Sequence, residues 1–186
     1  MPHNALLLLL TLCLLALPAL AQQARKPVPV PASRLVAVRA NGPKAIGRYQ
    51  DWIAATHQEA GQTVCYAFTR AEKSSPPVSG RGEVVLTVTE RGASRDVVAI
   101  SAGFAFSRYA SVSVGTDQAS FQFYTAQRSA FARDGHAAVV AFQKGRQVIA
   151  RSPGPKSQPV ADVFSLRGFS AAYAAIRRAC PPPETS

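Results

Sequence analysis

Cysteine and histidine are the side chains in this chain best suited to redox chemistry, nucleophilic attack or metal binding, and both are scarce. Cysteine occurs three times, at Cys13, Cys65 and Cys180, and histidine at His3, His57 and His136. No Cys-x-x-Cys is present and no partner adjacent in sequence lowers a thiol pKa, so a redox or nucleophilic cysteine lacks its usual setting. His57 and His136 belong to no His-x-x-x-His or other compact ligand spacing, which gives no metal site and no expected metal. Asp134-Gly135-His136 can supply an acid/base pair after folding, and a loop running into a helix start explains it equally well. Glu83 and Glu90 are seven positions apart in an expected strand and so face opposite sides, which argues against a shared acid site. No Gly-x-Ser-x-Gly elbow and no glycine-rich phosphate loop is present. The catalytic residue set expected from the sequence is empty, and no cofactor is implied.

What the cysteines do depends on the start of the chain. Leu6 to Leu20 is almost continuously apolar, and Ala19-Leu20-Ala21 places small residues where a signal peptidase reads. Residues 1–21 are expected to be a secretory signal peptide, although its first residues carry His3 and neither lysine nor arginine. An uncleaved anchor is the first alternative, but the run is short of the roughly 20 apolar residues that span a bilayer. A structural segment of a cytosolic domain is the second. Cleavage removes Cys13 and leaves Cys65 and Cys180, an even pair in an oxidising compartment, for which one disulfide is the natural reading.

The exported chain is strongly basic. Its sequence carries 21 Lys+Arg against 10 Asp+Glu, and the leader contributes to neither count. Residues 22–45 alternate proline with valine in "KPVPVP", which removes backbone donors and favours an extended linker or tail. Arg25, Lys26, Arg34, Arg39 and Lys44 make this segment positive, either as a soluble spacer or as a contact for an anionic membrane surface or polysaccharide. Further arginines at 91, 95, 108, 128, 133, 146, 151, 177 and 178 form a patch only if the fold gathers them, with Tyr109 or Tyr124 adding stacking. Export makes an envelope component the expected partner and nucleic acid not an expected one.

One domain is expected over residues 46–181, with 182–186 as a tail. Trp52, the only tryptophan, is read as core packing with its ring nitrogen bonded. "QTVCYAFT" reads as a strand, ended by "SSPPVSGRG". In "EVVLTVTE", Val84, Leu86 and Val88 can face one way and Val85, Thr87 and Thr89 the other. "DVVAIS", "YASVSVGT" and "SFQFY" continue the pattern, which argues for a sandwich or similar antiparallel domain. A short helix is expected over Asp134–Lys144, a strand at "RQVIAR" and a loop at "SPGPKSQP". The clearest helix is "SAAYAAIRRAC", capped by Ser170, with Ala172, Tyr173, Ile176 and Cys180 on one face.

The segment "YQDWIAATHQEAGQTVCYAF" resembles the Asp-Trp, Gly and Cys-Tyr-Ala opening of the invasion-associated locus B family. "VFSLRGFSAAYAAIRRAC" resembles that family's Ser-Leu-x-Gly-Phe, alanine-rich helix and terminal cysteine, and Gly103-Phe104 and "KGRQV" resemble two internal motifs. The loop "RSPGPKSQPVADVF" departs from the Gly-Thr-Ser-x-Arg-Gly-like loop common in the family. The resemblance implies structural roles for Asp51, Trp52, Cys65, Tyr66, Ser165, Leu166, Gly168, Phe169 and Cys180. It also implies an immunoglobulin-like β-sandwich and a periplasmic or outer-membrane-associated place. Together these readings point to a noncatalytic envelope protein that contacts another envelope component, with links to host-cell interaction or invasion. The alternatives are a binder of anionic lipid or polysaccharide and an uncharacterised hydrolytic enzyme.

Overall fold

The computed structural model describes residues 42–183. The expected leader, and Arg25, Lys26, Arg34 and Arg39 of the basic tail, lie outside the described residues, as do 184–186. Eleven strands follow in the order β1 Lys44–Tyr49, β2 Trp52–Glu59, β3 Gln62–Arg70, β4 Lys73–Ser75, β5 Val85–Arg91, β6 Ser94–Ser101, β7 Ser111–Gly115, β8 Ser120–Ala126 and β9 Ser129–Ala132, then β10 Gln147–Pro153 and β11 Pro159–Ser165. Helix α1 (Gly135–Lys144) sits between β9 and β10, and α2 (Phe169–Ala179) follows β11.

All the pairings are antiparallel, and they link the strands in one order, β1-β2-β3-β5-β6-β9-β8-β7-β10-β11-β4. The fold is mainly β with one internal and one C-terminal helix. It is a single continuous sheet, where the expected immunoglobulin-like sandwich would divide the strands between two. The sheet curls, because the chain itself joins β3, third in that order, to β4 at its far end. β3 runs through Ala71 and Glu72 straight into β4, with the Ala71 N–H donating to Val84 (2.9 Å) and the Glu72 N–H to Val163 (2.8 Å).

Period-two patterning decides which face is inside. Leu86 and Val88 of β5, Val98 and Ile100 of β6, and Phe123 of β8 are buried, while the alternating Thr87, Thr89 and Ala99 are partly open. Helix α2 lies on the β1–β3 side of the core and buries Phe169, Ala172, Tyr173 and Ile176. Its basic last turn, Arg177 and Arg178, suits the negative end of the helix dipole.

Several boundaries differ from expectation. Lys44, expected in the tail, belongs to β1, which pairs with β2 from Lys44↔Thr56 onward. Ser170 is not the cap of α2: Gly168 is, and Ser170 lies inside the helix. Only glycine fits at 168, where φ is +85° and a Cβ would come 1.9 Å from the Tyr49 carbonyl oxygen. Asp134 is itself the cap of α1, accepting from the Ala137 N–H at 2.9 Å. Glu83 precedes β5 and pairs on the surface with Arg70, so it shares no strand with the buried Glu90.

Candidate functional site

The two sequence motifs farthest apart meet at one node. Asp51 and Trp52, from the β1–β2 turn, pack on the Ser165–Phe169 turn between β11 and α2. The Ser165 hydroxyl donates to Asp51 Oδ2 at 2.7 Å, and Trp52 Nε1–H donates to the Ser165 carbonyl at 2.9 Å. The Trp52 ring is fully buried against Phe169, with centroids 4.8 Å apart. Leu166 is buried beside them, its N–H donating to the Arg146 carbonyl. Tyr66 is not part of this node; it lies on the opposite face of the sheet, stacked on Phe68. Cys65 of β3 and Cys180 at the end of α2 form a disulfide with their Cα atoms 6.0 Å apart.

A buried polar cluster adjoins that bond, and sequence spacing gave no sign of it. Glu90 is the register partner of Cys65 and is fully buried. Arg95 Nε approaches Glu90 Oε2 at 2.5 Å, while Arg95 Nη2 donates to the Cys180 carbonyl at 2.8 Å. Asp96 accepts from the Tyr173 hydroxyl on one oxygen, and His136 Nδ1 lies 2.8 Å from the other. The Asp96 backbone carbonyl lies so close to Gly135 that a Cβ there would be 1.7 Å away, which explains the glycine between Asp134 and His136. Of Asp134-Gly135-His136, the aspartate thus serves the helix start and the histidine pairs with Asp96.

Burial, with the Asp96 carboxyl beside it, pushes Glu90 up to about 7 against the pull of Arg95. Burial also opposes ionisation of Asp96, but the bonds from Tyr173 and His136 outweigh it and hold that carboxyl below its ordinary value. Burial and the bond to Asp96 push the Tyr173 hydroxyl up.

These shifts set the pH dependence. A carboxyl raised in the folded state stabilises fully below its ordinary value of 4.5 and loses that contribution as pH rises through about 7. The Asp96 contribution acts the other way, lost only below 3.8, and that of Tyr173 is lost only in alkali. Between pH 5 and 8 the Glu90 contribution should fall by about 2 to 3 kcal/mol at ~1.4 kcal/mol per pKa unit. Urea unfolding over that range should show the fall in the parent and a flatter profile in Glu90→Gln; equal slopes would remove Glu90 as its source.

The outward face of the sheet carries a different feature. Register places Ile53, Phe68, Thr87, Ala99, Phe131 and Tyr124 in one row across β2, β3, β5, β6, β9 and β8. Tyr124 stacks on Phe131 with centroids 5.5 Å apart. Beside this row Tyr66, Thr89 and Val97 form a second, with Val97 37% exposed. The arginines do not form one patch. Arg91 pairs with Glu59, Arg95 with Glu90, and Arg128 donates to the Gly103 carbonyl. Arg108 and Arg133 are the two that the fold brings to Tyr109 and Tyr124.

The profile of the invasion associated locus B (IalB) protein family matches residues 52–177, a span that holds the Trp52–Ser165 node. The chain belongs to the IalB family. Among solved structures, the crystal structure of invasion associated protein b from Bartonella henselae matches with a TM-score of 0.53 and 18% identity. The match covers 72% of this chain and 95% of that one, and at this identity it speaks to the fold. No curated protein matches the chain. Among the described residues, no group of three or more His, Cys, Asp or Glu could hold a metal ion. No described helix is long and apolar enough to cross a membrane.

Proposed function

We propose that this IalB-family chain is a noncatalytic envelope protein, periplasmic or outer-membrane-associated, that contacts another envelope protein through the outward face of its sheet. The row from Ile53 to Tyr124 carries this reading: apolar and aromatic side chains, interrupted by Thr87, lie along six strands on the face away from the core. A largely apolar face of this kind favours a protein partner over solvent. The leader-like N-terminus and the Cys65–Cys180 bond support an oxidising compartment. A noncatalytic role is supported by the state of the acidic groups, since Glu90 is sealed from solvent and both Asp96 oxygens are engaged. The curl that brings Trp52 against Ser165 supports a sandwich-like body whose two halves face each other. A part in host-cell interaction follows from the family's name alone.

Capture from fractionated envelopes tests the reading. A defined protein should stay bound near 1 M salt, where the screening length is only about 3 Å, and should be lost with Phe68→Ser/Phe131→Ser in a protein whose near-ultraviolet circular dichroism is unchanged. Capture that fades with salt, or on deletion of residues 22–41, would replace this reading with an anionic-surface contact. Turnover abolished by His136→Ala in a folded protein would replace it with an enzyme.

A further inference from the structure

We propose that the groove between the loop at 107–111 and the β8–β9 hairpin binds an acidic oligosaccharide, with Arg108 and Arg133 taking its charged groups and Tyr109 stacking on a sugar face. The cavity measures about 480 Å³, within the usual range for a small-ligand site, and no carboxylate lines it. Arg108 lies 5.9 Å from the Tyr109 ring centroid and Arg133 5.6 Å from that of Tyr124. Neither guanidinium meets a carboxylate within 4 Å among the described residues. Two positive groups at one concave, acid-free site are complementary to an anion.

Tyr109 gives the second argument. It is 91% exposed and has φ 63°, a left-handed conformation that is costly for a bulky side chain. Packing of the ring does not repay that strain. Neighbouring bonds hold the loop instead: the Ala110 N–H donates to Ser107, the Thr125 hydroxyl to the Ala110 carbonyl at 2.7 Å, and the Phe106 N–H to Gln127 at 2.8 Å. The fold thus presents an aromatic face to solvent beside two unpaired cations. Hydroxyl and amide groups of Ser107, Ser111 and Gln127 line the same groove, which suits the many hydroxyls of a sugar better than a lipid surface or an acidic peptide.

The site is separate from the proposed protein-contact row except at Tyr124, so the test leaves that residue unchanged. Calorimetric titration of the purified, disulfide-intact protein would use a short oligogalacturonide, with a neutral malto-oligosaccharide of equal length, a single-stranded oligonucleotide and phosphatidylglycerol vesicles as comparison arms. The oligogalacturonide should bind, and weaken at least tenfold with Arg133→Ala, with Arg108→Ala and with Tyr109→Gly. The last variant relieves the strain and should fold at least as well as the parent, so its loss of binding reads the ring alone. Tyr109→Phe should bind like the parent. No heat from the oligogalacturonide, equal binding of the neutral sugar, tighter binding of oligonucleotide or vesicle, or indifference to these variants would each overturn the proposal.

Discussion

Replacing Cys65 and Cys180 together by alanine should lower the unfolding free energy by about 5 kcal/mol, the largest loss expected from any single covalent or packing change in this fold. The bond closes a loop with a sequence separation of 115 residues, and the chain-entropy relation gives about 4 to 5 kcal/mol for a loop of that length. The location adds to the loss. Cys65 lies in the middle of β3, between β2 and β5, and Cys180 ends the helix that covers β1, β2 and β3. Without the bond the last turn of α2 is tied to the sheet by the Arg95 contact to the Cys180 carbonyl and the buried side chains of its inner face. Domains of this size commonly have 5 to 15 kcal/mol in all, so the variant should be folded marginally. Urea unfolding of the parent, oxidised and reduced, and of the double variant provides the check. The reduced parent and the variant should coincide, both well below the oxidised protein. Coincidence of all three would mean that the loop is already restrained in the unfolded chain.

Local pattern made much of this fold legible. Alternation marked β5, β6, β7 and β8 and sorted Leu86 and Val88 to the inside, since those strands bury one face and leave the other to solvent. The face of α2 was also readable, because Ala172, Tyr173, Ile176 and Cys180 recur at helical spacing beside a polar side. The segments that were missed, β1, β2, β4, β9 and β11, have weak local signals. β2 holds paired alanines and ends in His-Gln-Glu, β4 is three polar residues, and β11 begins with proline; each is a strand because a partner holds it there. The sites followed the same division. The cysteine pair could be inferred from count and compartment. The Glu90–Arg95–Asp96 cluster, the outward row and the Tyr109 groove exist only once register and curl are fixed, and no spacing in one dimension encodes them.

The strongest example of such a non-local element is the pairing of Arg81 with Asp162, and its loss is the second large effect expected. Arg81 comes from the connection between β4 and β5, and Asp162 from β11. The two meet as a bidentate pair with Nη1–Oδ1 2.8 Å and Nη2–Oδ2 2.7 Å, and their side chains are only 6% and 3% exposed. Arg81 Nε also donates to the Ala102 carbonyl at 2.7 Å, its guanidinium lies 4.9 Å from the Phe104 ring centroid, and the Ser74 hydroxyl donates to Asp162 Oδ1. One ion pair thus ties β4 and β11, at one end of the strand order, to the exit of β6 in its middle. Removing one partner leaves a buried charge without its counter-ion, which typically costs 3 to 5 kcal/mol. Asp162→Leu should therefore destabilise by about that much, and Arg81→Met by a similar amount. The double variant Arg81→Met/Asp162→Leu should lose far less than the sum, because neither charge then remains to be desolvated. Urea unfolding of all four proteins with the disulfide intact measures the coupling. Additive losses would mean that each side chain acts through its own contacts, Ala102 for the arginine and Ser74 for the aspartate, and that the pair itself contributes nothing to holding the curled sheet together.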